Sequence, residues 1–194
     1  MVKKRRRKRQ RAGGEVLSAH AVQASHSVEN SNSQTMASAI PPGVVAHKQP
    51  VSPLLRSAFE VLNHGLYHFF RSETATDMKF ALMHVDQAIE LILKECVRAG
   101  GKSVYKNPKE TISVYGAYDI LQNELNIKIP EKPDLELLHE ERNNIQHKYS
   151  NPSPQDAGFH IQRATAFIRR FVQQQLNLDI KDFVASEFLD QLLD

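Results

Sequence analysis

An unbroken apolar stripe over residues 75–99 constrains the fold more than any other feature of the sequence. Its members recur at alternating intervals of four and three residues, which is the spacing that aligns side chains on one face of an α-helix: Met78, Leu82, Val85, Ile89, Ile92, Cys96 and Ala99. Gly100-Gly101 directly follows the stripe and supplies a helix stop. The stripe predicts a long helix that must bury one face against other helices.

Apolar spacing in the rest of the chain predicts further helices. They cover about 53–71, 111–126, 134–149 and 155–177, and a short apolar and acidic segment follows over about 179–193. Ser52-Pro53 is a favourable helix start, with Ser52 as the N-cap and Pro53 in the first turn. Five helices with short connections predict an all-α fold, an up-and-down helical bundle that spans residues 53–194.

The breaks between these helices are also predicted from the sequence. Residues 102–110 are expected to form a loop, and no alternating strand pattern is present there or elsewhere. Pro130 and Pro133 bound a linker, after which Asp134 is the predicted N-cap of the fourth helix.

Residues 1–52 differ in composition from the rest of the chain. Residues 3–11 contain eight Lys and Arg, whereas residues 12–52 are rich in Ser, Asn, Gln, Ala and Pro. Such a segment lacks the apolar content that offsets the entropy of ordering, so we predict a disordered tail. The basic block is interpreted as a solvated arm, as an RNA-attracting arm or as a targeting signal. Without these eight residues, 17 basic residues face 22 acidic ones, so the remaining body is mildly acidic.

Several classes of protein are disfavoured. A single cysteine, Cys96, excludes an internal disulfide framework, and no apolar run approaches the ~20 residues that span a bilayer. We therefore expect a soluble, cytoplasmic protein with no membrane partner. His64 and His68 are four residues apart, as in some metal sites, but no third ligand is apparent. We accordingly predict neither a metal nor a cofactor.

Arg142 interrupts the apolar stripe of the predicted fourth helix. The other members of that stripe are apolar: Leu135, Leu138, Ile145 and Tyr149. A guanidinium in a core-facing position is costly unless it is paired or lies at an interface. One interpretation is an ion pair with an acidic residue of the second helix, for which the candidates are Asp86, Glu90 and Glu95. The other interpretation is that Arg142 binds a phosphate, which suits its charge and planar shape.

His147 lies in the last turn of the same helix. Histidine is the usual general acid or base near neutral pH, and a helix C-terminus also interacts favourably with an imidazolium. One Arg and one His without metal ligands fit RNA cleavage through the 2′-hydroxyl of the substrate. Asn143 is four residues before His147, so the two side chains share a face. Arg142 and His147, in contrast, are separated by roughly 140° around the helix. One substrate can contact both residues if the long Arg142 side chain reaches around the helix, or if a second copy of the helix faces the first.

The segment Arg142-Asn143-Asn144-Ile145-Gln146-His147 resembles the R-x4–6-H signature of the HEPN superfamily. The long second helix is similar to the family pattern A-x6-A-x-E-x3-K, through Ala81, Ala88, Glu90 and Lys94. The resemblance covers about residues 55–176. It implies a homodimer in which two motif helices form a composite cleft with metal-independent endoribonuclease activity. Arg142 would contact the scissile phosphate, His147 would act in acid–base catalysis, and Asn143 would orient His147.

A narrower resemblance includes Tyr149. Arg142, His147 and Tyr149 form R-x4-H-x-Y, which is similar to toxins paired with a nucleotidyltransferase antitoxin that adenylylates the tyrosine. An added AMP would place negative charge where RNA phosphate must bind. The alternative is that Tyr149 is an aromatic residue of the core or of an interface.

Three functions remain open at this point. The first is an HEPN ribonuclease that acts on RNA as a toxin or an antiviral effector. The second is a catalytically inactive HEPN-like module that dimerises and binds a protein or a nucleotide. The third is an interaction domain of another family, in which the basic tail makes the functional contact. His139 lies on the Asn143 and His147 side of its helix and is a further candidate for the cleft.

Overall fold

The computed structural model of the chain describes residues 51–193, which form a helical bundle. Its elements are α1 (Pro53–Phe70), α2 (Ala75–Ala99), β1 (Tyr105–Asn107), β2 (Glu110–Thr111), α3 (Val114–Asp119), α4 (Lys132–Lys148), α5 (Pro154–Leu176) and α6 (Ser186–Leu193). A π-helical turn, Ile120–Glu124, follows α3, and a 3-10 turn, Ile180–Asp182, precedes α6. The predicted all-α fold is confirmed for these residues, and the predicted tail over residues 1–50 lies outside them.

Helix α2 lies at the centre of the bundle. It packs most extensively against α1 and also contacts α3, α4 and α5. Every member of the predicted stripe is buried except Ala99, at the exposed end of the helix. Fully burying one large apolar side chain contributes about 1.5–3 kcal/mol, so the stripe makes a large contribution to the bundle's stability. None of the described helices is long and apolar enough to cross a bilayer.

Helices α1 and α2 form a tight hairpin across a four-residue connection, residues 71–74. The start of α2 is fixed by a capping box, in which Thr74 and Asp77 bond to each other's backbone N–H. Gly65 faces α2 so closely that an added Cβ would lie 3.1 Å from the Ala81 carbonyl oxygen and 3.1 Å from the His84 Cβ. This glycine therefore allows the two helices to approach, which brings the polar side of α1 next to α2.

The segment over 102–110, which we predicted to be a loop, contains a small β-hairpin. Strands β1 and β2 pair antiparallel, and both are fully exposed. The Asn107 side chain holds the turn, because its Oδ1 accepts from the Lys109 N–H and its Nδ2 donates to Glu110. Strands of three and two residues are too short to show the alternating pattern by which strands are recognised.

Two predicted helix boundaries are wrong. The helix expected over 111–126 is a short α3 that begins after the N-cap Ser113 and continues as the π-helical turn. Helix α4 begins earlier than predicted, with Glu131 as its N-cap and Pro133 in its first turn. Proline lacks the N–H that a first helical turn leaves unpaired, so it starts this helix instead of preceding it. Asp134 instead accepts a hydrogen bond from Arg163 of α5.

Candidate functional site

Arg142 points from α4 towards α2 and pairs with Asp86. Its Nε lies 3.6 Å from Asp86 Oδ2, and the guanidinium side chain stays 29% exposed whereas the carboxylate is buried. The other two acidic candidates are engaged elsewhere, since Glu90 bonds to Lys94 and Glu95 bonds to Arg98. Of the three acidic residues considered as ion-pair partners of Arg142, Asp86 is the one that contacts it. The pair anchors the side chain while leaving part of the guanidinium accessible.

Asp86 also binds His139, one turn before Arg142 on α4. The His139 Nδ1 lies 3.0 and 3.2 Å from the two carboxylate oxygens of Asp86. This hydrogen bond raises the pKa of His139, against the opposing effects of burial and of the nearby Arg142. The Tyr115 ring packs edge-on against the imidazole, with ring centroids 5.6 Å apart. His139 is thus a buried partner of Asp86 that competes with Arg142 for the same carboxylate.

Asn143 bonds to Arg142. The Arg142 Nη1 donates to Asn143 Oδ1 over 3.0 Å. The contact that the family resemblance implies, between Asn143 and His147, is not among the hydrogen bonds of residues 51–193. In this arrangement Asn143 orients the guanidinium, and Asp86 and Asn143 together hold Arg142 from two sides.

His147 is exposed in the last turn of α4. Within the described part of the chain its imidazole has no hydrogen bond, ion pair or ring contact, so no other side chain competes with a ligand for it. Helix geometry places it roughly 140° around the axis and about 7.5 Å along it from Arg142. In a single copy of α4, the Arg142 guanidinium and the His147 imidazole therefore point in different directions.

Tyr149 caps α4 in a left-handed conformation, with φ 57° and ψ 32°. Among residues 51–193, the other two non-glycine residues with positive φ are asparagines, Asn126 and Asn177, which tolerate this region. Tyrosine has no such local advantage, and the conformation costs roughly 1–2 kcal/mol. The ring is 89% exposed, so Tyr149 does not belong to the core of its own bundle. The interpretation as an interface aromatic and the one as a modification site both remain.

An open groove lies beside the motif. Its walls come from α3 and α4: Tyr115, Pro133, Glu136, Leu137, Glu140 and Asn143. Two of its large apolar side chains are exposed, Leu137 at 50% and Tyr115 at 52%. Leu137 interrupts an otherwise polar surface of α4, and two glutamates give the groove an acidic character. The groove therefore combines apolar area with charge of the wrong sign for nucleic acid.

A second group of polar side chains lies on the opposite side of α2. His64 and His68 of α1 and His84 of α2 place one ring nitrogen each within 4.8 Å of the others. We name these three residues the histidine cluster. Burial and the positive charges of the other two histidines lower the pKa of His84. Spacing in the sequence indicates no third histidine beside His64 and His68, whereas the packing of α2 against α1 brings His84 there. The short connection over residues 71–74 could have indicated this contact. In two antiparallel helices joined by a short connection, residues at similar distances before and after the connection lie next to each other.

Cysteine chemistry is not part of either group. Cys96 is buried in the core, and desolvation together with Glu95 raises the pKa of its thiol to about 12. A thiol in this state is neither nucleophilic nor a good metal ligand.

No protein-family model matches this chain, and comparison with curated proteins and with solved structures also gives no match. The resemblance of the Arg142–His147 segment to the HEPN superfamily therefore stays a prediction.

Proposed function

We propose that this protein is a metal-independent endoribonuclease of the HEPN type, in which Arg142 and His147 form the active site. The observation that supports the proposal most is the state of these two side chains on α4. Arg142 is held by buried Asp86 but stays partly exposed, and His147 is exposed with no partner among the described residues. Phosphodiester cleavage through a 2′-hydroxyl needs a positioned cation to stabilise the phosphate charge and an imidazole that is free to transfer protons.

The reaction follows from these two groups. An imidazole accepts the proton of the ribose 2′-hydroxyl, and the oxygen attacks the adjacent phosphorus. The bond from phosphorus to the 5′-oxygen breaks, and an imidazolium donates a proton to that leaving oxygen. The products are a 2′,3′-cyclic phosphate and a 5′-hydroxyl. Arg142 neutralises the charge that builds on the non-bridging oxygens, so neither a protein nucleophile nor a metal takes part.

A second copy of the chain would complete the site. Arg142 and His147 diverge around one helix, but two facing copies of α4 can place the cation of one chain beside the imidazole of the other. The exposed Leu137, Tyr115 and Tyr149 give this face the apolar area that a homodimer interface requires. We therefore propose a homodimer with a composite cleft.

The charge of the body argues for a separate source of RNA affinity. Glu136 and Glu140 line the groove next to Asn143, where they repel phosphate. The eight basic residues within 3–11 can supply the attraction instead. Deleting residues 1–50, which leaves the N-cap Ser52 in place, should then weaken RNA binding and flatten its dependence on salt, while the bundle stays folded.

Exposure of the Tyr149 hydroxyl supports a role in regulation. A nucleotidyltransferase antitoxin would transfer AMP from ATP to this oxygen and release pyrophosphate. The added phosphate would lie two residues from His147 and repel the RNA backbone. We propose that the protein is an RNA-cleaving toxin or antiviral effector that acts in the cytoplasm. The expected mass increase of one AMP should disappear in Tyr149→Phe.

The test of the proposed function is RNA cleavage by the purified full chain in excess EDTA. Wild-type protein should cleave, and Arg142→Ala and His147→Ala should lose about 10²–10⁴-fold in rate. Gln146→Ala is the matched control, because it alters an exposed neighbour on the same helix and should leave the rate unchanged. Circular dichroism and thermal unfolding check that the variants fold. Equal cleavage by wild type and both variants would contradict the proposal.

A second candidate is a catalytically inactive HEPN-like module that dimerises and binds a protein or a nucleotide. The observation that favours it is that Asp86 and Asn143 both bind Arg142, which gives this arginine a structural role without RNA. This candidate predicts a dimer that cleaves no RNA and whose stability falls in Arg142→Ala.

A further inference from the structure

The histidine cluster has the composition of a metal site. Three imidazoles converge from two helices, and the ring nitrogens lie within 4.8 Å of one another. The rings of His64 and His84 have centroids 4.6 Å apart, and those of His64 and His68 4.7 Å apart. At this distance three imidazolium charges would repel one another, whereas three neutral imidazoles can stack or share a ligand. A cation bound between neutral rings would reverse that repulsion.

The surroundings orient one of the three ligands. His68 Nδ1 lies 3.1 Å from Asp77 Oδ1, in a pair that is only about one-fifth exposed. Asp77 is itself held by the capping box of α2, so its position is rigid. When Nδ1 donates to a carboxylate, Nε2 keeps its lone pair, which is the usual arrangement behind a metal-bound histidine. Asp77 therefore has the role of an outer partner that fixes the His68 tautomer.

His84 provides an independent observation. Its Nδ1 is buried and has no hydrogen-bond partner among the described residues. Buried polar atoms are normally paired, so this nitrogen calls for an explanation. Phe80 lies along both His84 and His68, with ring centroids 6.1 and 5.2 Å away, and shields one side of the cluster. His64 is exposed and leaves the other side open to solvent.

We propose that His64, His68 and His84 bind one Zn²⁺ ion, with a water molecule from the open side as the fourth ligand. Imidazole nitrogen suits Zn²⁺, and three histidines with one open position form a known type of zinc coordination. Zinc–nitrogen bonds of about 2.0–2.1 Å require the ligand nitrogens to come closer than they are here. Zinc binding would therefore require the imidazole rings to rotate towards one another, and the exposed His64 ring has the most room to do so.

This site is separate from the proposed ribonuclease site. His84 and Asp86 are two residues apart on α2, so they project roughly 200° apart around the helix. The cluster faces α1 and Asp86 faces α4. The two proposals can therefore fail independently, since cleavage in EDTA tests one and zinc binding tests the other.

The experiment is calorimetric titration of the full chain with Zn²⁺ after removal of metals by EDTA and buffer exchange. Wild type should bind one Zn²⁺ in a step that stabilises the fold against heat, because the ion binds only the folded cluster. His64→Gln, His68→Gln and His84→Gln should each weaken this step at least about tenfold, which is the lower bound even for losing an outer partner of a metal-bound histidine. Co²⁺ in place of Zn²⁺ should give the intense visible absorption of a four-coordinate site.

His160→Gln is the matched control. His160 on α5 also has a buried Nδ1 without a partner among the described residues, but it lies outside the cluster. Zinc binding should be unchanged in this variant. His64 is exposed, so His64→Gln is expected to fold even if His84→Gln does not. No zinc step in wild type, or one that survives in His64→Gln and His84→Gln, would overturn the proposal.

Discussion

Two regions on opposite sides of α2 hold histidines, and their polar groups are satisfied differently. On the α4 side, a buried carboxylate, Asp86, pairs with both His139 and Arg142, so charge is balanced within the chain. On the α1 side, Asp77 bonds to one of the three imidazoles, His68, and the His84 Nδ1 has no partner among the described residues. The first region offers a held cation to an anionic ligand. The second offers lone pairs to a cation.

The two regions also depend on different structural supports. Arg142 is positioned by an ion pair with the buried carboxylate of Asp86, and removing one member of such a pair is costly because the other loses its partner. The histidine cluster is positioned by helix packing at Gly65, where there is no room for a side chain. Disrupting each support should therefore affect one region and spare the other.

Removing the shared carboxylate should have the largest effect on stability. Asp86→Ala leaves Arg142 and His139 without their buried partner, and we expect a loss of about 3–5 kcal/mol in the free energy of unfolding, measured with urea. The matched control is Glu124→Gln, which breaks an exposed pair with Lys102 and should cost at most about 1 kcal/mol. Equal effects of the two substitutions would show that Asp86 does not anchor the α4 region.

Filling the space at Gly65 should disrupt the other region. Gly65→Ala places a methyl group 3.1 Å from the Ala81 carbonyl oxygen, and overpacking of this kind costs about 1–3 kcal/mol. Zinc affinity should fall with it, while RNA cleavage per folded molecule should not. Gly158→Ala on α5 is the control, because its nearest neighbour, Phe69 Cζ, would be 3.6 Å from the new methyl. That substitution should instead stabilise the helix by about 0.5–1 kcal/mol.

Relieving the backbone strain at Tyr149 should have a smaller effect on stability, limited to the end of α4. Tyr149→Gly removes a backbone strain of roughly 1–2 kcal/mol but makes the unfolded chain more flexible, so we expect a net gain of up to about 1 kcal/mol. Tyr149→Phe keeps the strain and the exposed ring, and its stability should match that of wild type. A clear loss of stability in Tyr149→Gly would mean that the ring packs against a partner, such as a second copy of the chain.

The smallest expected effect is a change in the pH dependence of stability at His139. Its pKa is raised in the folded protein above the ordinary 6.5, chiefly by the hydrogen bond to Asp86. The stabilisation is therefore fully present below about pH 6.5 and is lost as pH rises through the folded pKa. The difference in unfolding free energy between wild type and His139→Gln should shrink as pH rises through this window. A difference that stays constant or grows with pH would contradict the pairing.

Much of the fold follows from local patterns in the sequence. The stripe of α2 and the helix start at Ser52-Pro53 have strong signals, because periodic burial and capping are local properties. Two other features lack such a signal: the hairpin at Tyr105–Thr111 and the early start of α4 at Lys132. In the first case the strands are too short to show a period. In the second, Pro133 is equally compatible with a linker and with a first helical turn.

The candidate sites divide in a similar way. Arg142, Asn143 and His147 are close in the sequence and were found as a motif, whereas the partner of Asn143 depends on rotamers that no motif specifies. His84 is 16 residues from His68, and its place in the cluster depends on the packing of α1 on α2. Predicting contacts between helices requires the register in which the helices pack, and the spacing of residues along the sequence does not specify that register.

The composite active site is tested most directly by combining two inactive chains. Arg142→Ala and His147→Ala protein, carrying different affinity tags, would be refolded together and the mixed dimer isolated through both tags. If Arg142 of one chain acts with His147 of the other, the mixed dimer regains one intact site of two and about half of the wild-type rate in EDTA. A mixed dimer as inactive as its parents, although wild type cleaves RNA, would contradict the composite site.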